Sequence, residues 1–325
     1  MTGPITVVMP VYGRAALVEQ AIASVRAQSV DHWRLLIADD GSEPATEALL
    51  RRLAAEDSRI RLVRRPRNLG LFANLNATLA EVDSPWFLIL CSDDLLEPEA
   101  VGVLETLIAT HPDCELVLSS YRSIDALGAF RFDVHGWYTN HFAPVTREFP
   151  PGALLPHLLR FGSINGNITG LLIRTDLFNR SGPWRQDWSQ AADWEWLIRA
   201  AERTTVLIQR QPIARVRVHA QQLSSANRLN QREGEEIAAV LRLLRHHPAL
   251  GGWPQRHRWA AHHAQFLLWN ALKASSRVGW RATLRQLALI HQSVGLGRTT
   301  LALLAVLPGR LRIRGSDLPL PPPAP

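Results

Sequence analysis

Cysteine is scarce in this sequence: Cys91 and Cys114 are the only two in 325 residues. They are too few and too far apart for a disulfide framework or a zinc site, and a reducing cytosol fits them. Long apolar runs are missing as well. A bilayer span needs ~20 apolar residues, and the longest candidate, Leu301–Leu307, is far shorter. The chain reaches the apolar run Ile5–Met9 almost at once, so no targeting segment is expected. No GxGxxG comes after that run and no P-loop occurs, which excludes two common phosphate cradles. Internal repeats are absent. A soluble or peripheral protein is expected.

What is present suits an ordinary globular chain, with 46% apolar and 20% charged residues. The length allows one large α/β domain with an appendage, or two domains. The net charge of +7 is uneven. Residues 232–325 hold 13 Lys or Arg against 4 Asp or Glu, a balance of +9 that leaves −2 for residues 1–231. A basic C-terminal part suits anionic lipid, nucleic acid or plain water.

Ile5–Met9 reads as a first strand, ending in Pro10-Val11-Tyr12-Gly13-Arg14. Leu17, Ala21 and Val25 recur at helical spacing and predict a helix packed back on the sheet. Trp33–Ala38 predicts a second strand, ending in Asp39-Asp40-Gly41-Ser42, with Ser42 placed to cap a helix that has Pro44 in its first turn. Arg59–Arg64 reads as a third strand, and Asn68 as the cap of a helix running to about Leu79. Strand and helix alternate at short intervals, which predicts a mostly parallel sheet with helices on both faces.

Farther on the pattern loosens. Residues 121–151, with Trp137, Tyr138, His141 and Phe142, fit either an antiparallel excursion lining a cleft or a surface loop. Val206–Ile208 and Ile213–Val218 read as two strands that end at His219. From Arg232 the pattern is helical throughout. Its stripes are Ile237, Val240, Leu241 and Leu244; Trp259, Phe266, Leu267 and Trp269; and Leu284, Leu287 and His291. Pro319–Pro325 predicts an extended, disordered tail. His246-His247 and His262-His263 lack a carboxylate or third ligand and read as surface.

One stretch carries chemistry. In Trp86–Asp94 a buried-strand run is succeeded by Ser92 and two adjacent carboxylates, Asp93 and Asp94. Paired Asp at the carboxyl end of a parallel strand stand where open α/β sheets bind ligands. Hard oxygen ligands there suit Mg²⁺ or Mn²⁺, and those ions suit a diphosphate. A solvated acidic turn is the competing reading.

The ordered set Pro10-Val11-Tyr12, Asp39-Asp40-Gly41-Ser42, Asn68-Leu69-Gly70, Ser92-Asp93-Asp94 and Asp193-Trp194-Glu195-Trp196 resembles glycosyltransferase family 2, over residues 5–220. The resemblance implies an α/β, Rossmann-like GT-A fold with a mostly parallel central sheet. It implies transfer of a sugar from a nucleotide diphosphate donor to an acceptor hydroxyl, with inversion at the anomeric carbon. By the same resemblance Pro10 and Tyr12 contact the nucleotide. Asp39 accepts from a base N–H, which favours UDP- or TDP-sugars, and Asp40 holds the loop or shares that contact. Asn68, Gly70 and Asp93 belong to the donor site, Asp94 is the direct ligand of Mn²⁺ or Mg²⁺, and Asp193 is the general base. Glu195 competes for that last role. Arg217-Val218-His219 resembles a late element in which Arg217 pairs with phosphate and His219 contacts the diphosphate or completes the metal shell. Gly13 stands where the family often has Asn, and Cys91 where many members have Asp; neither carries a role over.

The expected organisation is a GT-A domain over 1–231, with a nucleotide-sugar half (1–120) and an acceptor half (121–231). A helical C-terminal region (232–318) and a Pro-rich tail (319–325) come after it. Trp253, Trp259, Trp269 and Trp280 with scattered arginines suit interfacial anchoring beside a lipid-linked acceptor. The protein is expected in the cytoplasm, peripheral at the inner face of the cell membrane, building envelope polysaccharide without nucleic acid. Two rival readings remain: a metal-dependent nucleotidyltransferase, and a non-catalytic basic protein that binds membrane or nucleic acid on an inactive scaffold. Gly13-Arg14 is a poor substitute for the loop the first rival needs. Arg65 and Arg67 read as solvated, and Asn167-Ile168-Thr169 as a glycosylation sequon without use in the cytosol.

Overall fold

The structure, a computed structural model, describes residues 3–131, 143–164, 167–219 and 232–312. Trp137, Tyr138, His141, Phe142 and the Pro-rich tail lie outside these residues. The first half runs β1 (Ile5–Val11), α1 (Ala15–Arg26), β2 (Trp33–Asp39), α2 (Pro44–Glu56), β3 (Ile60–Arg64), α3 (Leu71–Leu79), β4 (Trp86–Ile89), β5 (Leu95–Leu96) and α4 (Ala100–Thr110). The second half runs β6 (Cys114–Ile124), β7 (Arg147–Phe149), α5 (Leu155–Phe161), β8 (Leu171–Arg174), α6 (Thr175–Ser181), α7 (Ala192–Ala201) and β9 (Thr205–Arg217). Four helices complete it: α8 (Arg232–Arg245), α9 (Arg256–Val278), α10 (Trp280–Ser293) and α11 (Leu296–Arg312).

One mixed sheet has the order β3-β2-β1-β4-β8-β6-β9-β5, with β7 on the side of β9. Its N-terminal half, β3-β2-β1-β4, is parallel, as the alternation predicts. The strands of this half read as continuous apolar runs because helices cover both faces; every residue of β1 is buried. Pro10 ends the pairing of β1 with β4. The carbonyl of Val8 still accepts the Leu90 N–H at 3.1 Å, but Pro10, the next residue facing that side, has no N–H to extend the ladder. β1 therefore stays paired with β2 out to Val11 while β4 parts from it. A crevice opens at the carboxyl ends, where the chain order switches direction across the sheet.

Two hydrophobic cores flank the sheet. On one side Val18, Ala21, Ile22, Leu50, Val101 and Leu104 of the crossover helices pack on Val7, Ile37 and Leu88. On the other, α3, α5, α6 and α7 share a single core with the C-terminal helices, in which Leu158, Trp194 and Trp196 are continuous with Leu241, Trp259, Leu268, Ile290 and Leu303. The helical region is thus built onto the sheet-containing part of the chain rather than tethered to it.

Several local expectations change. Ser42 does not cap α2: its hydroxyl accepts the Gly13 N–H at 2.9 Å, and Glu43 precedes Pro44 at the helix start. Asn68 is not a cap either, because α3 begins after Gly70 and the Asn68 carboxamide accepts from the Gly70 N–H at 3.0 Å. The two late strands are one, β9, whose register slips between Gln209 and Ala214 around Pro212. Helix α6 is not legible as such in the sequence. Leu284 (53% exposed) and His291 face outward, while Ile290 faces the core. His263 is not at the surface; its ring packs on Trp194 at 5.6 Å and Nε2 lies 3.1 Å from the Arg160 carbonyl. Arg65 is largely covered and donates to Asn74 and Thr78.

Candidate active site

A cavity of about 290 Å³ occupies the crevice. Pro10, Tyr12, Asp40, Asn68, Gly70 and Asp93 line it, so six of the expected donor-site residues meet in one place. Arg14, Asn74, Cys91 and Ser92 complete much of the wall. Tyr12 presents a ring that is 58% exposed at the mouth. A larger cavity of about 530 Å³ lies at the opposite, amino-terminal ends of β1 and β2. Charged groups on its wall are paired with one another, as in Arg34–Asp83 at 3.1 Å and Arg59–Asp31 at 2.6 Å, and none of the expected site residues lines it.

The two Asp pairs divide their labour differently from expectation. Asp39 is fully buried; Oδ1 accepts the Ser42 N–H at 3.0 Å and Oδ2 pairs with Arg64. Both oxygens have partners inside the protein and Asp39 is absent from the cavity lining, so the structure does not present it for the base-recognition role expected of it. Asp40 reaches the cavity wall instead and accepts the N–H groups of Leu69 and Gly70 at 2.8 and 2.9 Å. Gly41 makes this turn possible, since its φ is +77° and a Cβ there would meet the Arg67 backbone at 2.9 Å.

Asp93 faces the cavity and pairs with Arg14 at 2.7 Å and with His219 Nε2 at 3.1 Å. Asp94 points inward, 1% exposed, and accepts from Thr169 Oγ1 (2.5 Å), the Arg217 N–H (2.8 Å) and Asn167 Nδ2 (3.3 Å). Burial pushes its carboxyl up to about 8, the Asp93 charge adds to that, and the three donors oppose it. The ligand atoms of Cys91, Asp93 and Asp94 all lie within 4.8 Å of one another. Burial and both carboxylates push the Cys91 thiol up, so it stays protonated and is a poor ligand for a hard cation.

Arg217 is corrected from a phosphate ligand to an interior strut. It is 2% exposed, and its guanidinium donates to the Asp93 carbonyl (3.0 Å), the Ala126 carbonyl (3.1 Å) and Gln20 Oε1 (2.9 Å). Glu195 is removed from contention as a base, because it forms a two-pronged pair with Arg199 at 2.9 Å on the same helix. Asp193 sits in the first turn of α7, outside the lining of the cavity. Burial raises its carboxyl to about 6; the Trp194 N–H at 2.8 Å opposes this and the Glu236 charge adds to it.

Three supporting residues are not evident from the sequence. Thr169 and Asn167, which read as an unused sequon, hold Asp94, with Thr169 Oγ1 also accepting the Cys91 N–H at 3.0 Å. Only the fold brings residues 75 positions apart together. Arg14 reads as part of a poor phosphate loop; a basic residue just past the first strand is the available signal. It holds φ +63°, a conformation strained for a side chain of its size, at the start of α1 on the cavity wall.

The family model for glycosyl transferase family 2 matches residues 6–169, and the chain belongs to that family. The succinoglycan biosynthesis protein ExoO of Rhizobium meliloti is 34% identical over 95 residues, which are 29% of this chain and 27% of ExoO. The chain spans between 16% and 46% of the length of the curated relatives compared. Among solved structures, S. aureus TarS 1-349 in complex with UDP-GlcNAc superposes with a TM-score of 0.69 at 13% identity, over 94% of this chain and 92% of that one. The mannosyltransferase PcManGT from Pyrobaculum calidifontis, in complex with GDP-Man and Mn²⁺, gives 0.57 at 16% identity over 96% and 88%. The fold is that of the GT-A transferases.

The Asp94 network makes a prediction with a definite sign. The protonated group stabilises the fold fully below the ordinary carboxylate value of 3.8, and that contribution is lost as pH rises through about 8. Thr169→Val removes a donor to the ionised form and leaves the Cys91 N–H without its partner. It should cost about 1–3 kcal/mol, and more at pH 9 than at pH 6. Urea unfolding at the two pH values checks this, and an equal loss at both would refute the assignment.

Proposed function

We propose that the protein transfers a sugar, with inversion, from a nucleotide diphosphate donor to a hydroxyl of a glycan or lipid-linked acceptor in envelope polysaccharide synthesis. The observation that carries this reading is the crevice itself, where Pro10, Tyr12, Asp40, Asn68, Gly70 and Asp93 converge at the switch point of the sheet. Tyr12 offers a ring for the base. Arg14 lies where a diphosphate would face both its guanidinium and the start of α1, which no side chain caps. The preference for uridine no longer rests on Asp39; it rests on the likeness to TarS, solved with UDP-GlcNAc. ExoO, by its name a polysaccharide biosynthesis protein, supports the acceptor class.

Asp93 and Asp94 fit a divalent cation, because their ligand atoms lie within 4.8 Å of each other and a bound cation would offset both the burial and the Asp93 charge that raise the Asp94 carboxyl. Mn²⁺ or Mg²⁺ held there, with His219 beside Asp93, would supply charge neutralisation for the departing diphosphate. Asp193 acts on the acceptor side and takes the proton of the attacking hydroxyl. A carboxyl raised to about 6 is a better base than an ordinary one and is still ionised at neutral pH.

The C-terminal helices extend the reading to a membrane surface. No helix among the described residues is long and apolar enough to cross a bilayer. No Asp or Glu occurs between Glu236 and Asp317. On α10 the outward face carries Trp280 (68% exposed) and Leu284 beside Arg281 and Arg285. Aromatic and aliphatic side chains flanked by arginines suit the interface of an anionic bilayer, where a lipid-linked acceptor resides.

Calorimetric titration with UDP, TDP and GDP, with and without Mn²⁺, tests the donor site. Metal-dependent binding of UDP is expected, weakened in Asp93→Asn; no binding of any nucleotide by folded protein would sink the reading. Asp193→Asn should lower kcat by roughly 10²–10⁴, and the wild-type rate should fall as pH drops through about 6. Sedimentation with vesicles should show binding to phosphatidylglycerol mixtures and not to pure phosphatidylcholine. Arg281→Glu with Arg285→Glu should weaken it by roughly tenfold or more, from ~1 kcal/mol per basic residue.

A further inference from the structure

Glu236 belongs to the first turns of α8, in the C-terminal helical region, yet its carboxylate is bound to the segment that leads into α7. It accepts three consecutive peptide N–H groups: Ser189 at 2.8 Å on Oε1, and Gln190 and Ala191 at 2.7 and 2.9 Å on Oε2. The Ser189 hydroxyl adds a contact at 3.3 Å. The side chain is 6% exposed, so these bonds are made largely away from water. Ala191 stands at the cap position of α7 and has no side chain able to satisfy the free donors of a helix start. Glu236, 45 positions later, accepts the N–H of this cap residue, one of those donors. A second contact from the same region falls next to it: the ring of His263 on α9 packs edge-on against Trp194 at 5.6 Å.

We infer that Glu236 is a positioning residue for sugar transfer, through which the C-terminal helices clamp the turn that presents Asp193. The inference rests on Asp193 being the base. The contacts bracket that residue, with Ser189–Ala191 held by Glu236 on one side and Trp194 held by His263 on the other. The clamp also brings a second negative charge to the same helix end. The other charged or titratable groups around Asp193 are paired or neutral. Glu195 is held by Arg199 on α7, Arg185 by Asp187 at 3.1 Å in the preceding loop, and burial pushes His263 down to about 4. Arg160 of α5 lies against Phe161 and Trp259. Glu236 is therefore the group whose charge adds to that of Asp193, and it contributes to the raised Asp193 carboxyl.

The test uses the full chain and needs no known acceptor. The carboxyl of Asp193 is tracked by carbon NMR through a pH titration, its signal assigned by its loss in Asp193→Asn, in wild type and in Glu236→Gln. Amide hydrogen exchange at residues 189–191 is measured in parallel. The expected result is a lower midpoint for Asp193 and faster exchange at those three amides in Glu236→Gln. Release of UDP from UDP-GlcNAc should show kcat reduced roughly ten- to hundredfold, with KM for the donor little changed and the acid limb of the pH profile moved down. An Asp193 midpoint and amide exchange unchanged in folded Glu236→Gln would overturn the proposal. Should Glu236→Gln not fold, Glu236→Asp carries the test: the charge remains but the reach does not, so faster exchange is expected with the acid limb in place, and unchanged exchange overturns the clamp. Retained turnover in Asp193→Asn would instead remove the base reading, so the two failures are separable.

Discussion

Asp94 is buried with three hydrogen-bond donors from two distant parts of the chain, and the shape of the crevice depends on that arrangement. Thr169 and Asn167 come from the segment before β8, and the Arg217 N–H from the end of β9. A carboxylate that cannot reach water must be matched by the protein, and its ionised form is costly here because Asp93 lies beside it. The matching ties three strand ends together and leaves Asp93 as the member that faces the cavity. Arg217 adds a second tie, since its guanidinium holds the Asp93 carbonyl and the chain after β6. An exposed acidic turn after β4 would impose none of these constraints.

The crevice that Asp93 faces has a smaller cause. Pro10 withholds one N–H, the β1–β4 ladder ends at that level, and the sheet opens where its chain order reverses. On the opposite wall, Asp40 fixes the Leu69-Gly70 peptide groups so that the loop before α3 keeps its shape beside the cavity. Asp39 is locked to Arg64 and Ser42 beneath it. Neighbouring carboxylates thus serve different ends because successive side chains in a strand point to opposite faces. On α7 it is the helical turn of 3.6 residues that separates Asp193 from Glu195: two residues apart, one carries a raised carboxyl and the other neutralises Arg199.

The C-terminal helices close the second core. Leu241, Trp259, Leu268 and Ile290 are buried with Trp194 and Trp196, so α7 is packed between the catalytic half and the added helices. The outward faces are a different matter: Trp280, Leu284, Leu301 and Leu304 are exposed on helices that carry no acidic residue. One set of helices therefore has an inner face that completes the fold and an outer face that exposes apolar side chains among basic ones.

Much of this is legible from residue order. The buried runs of β1, β2 and β4, the helical spacing of Val101, Leu104 and Ile108, the positions of Pro10, Tyr12, Asp40 and Asp93 at strand ends, and those of Asn68 and Gly70 before a helix come from local pattern, because period and punctuation are properties of neighbouring residues. The order of motifs is sufficient to place the chain in its family. What pattern cannot supply is the direction in which each carboxylate points and who meets it. Asp39 and Asp40, or Asp93 and Asp94, are equivalent as text and become different only when one is turned inward onto donors from elsewhere. Thr169 looks like half of a sequon and Arg217 like a phosphate ligand, since nothing adjacent to either records a partner roughly a hundred residues away. Glu236 lies in a region with no motif at all, and its three peptide partners are backbone groups that any sequence would carry. Composition and periodicity determined the sheet, its helices and the residues at its edge; only the tertiary fold decided which charges are paired, because pairing depends on distances in space that the chain order does not contain.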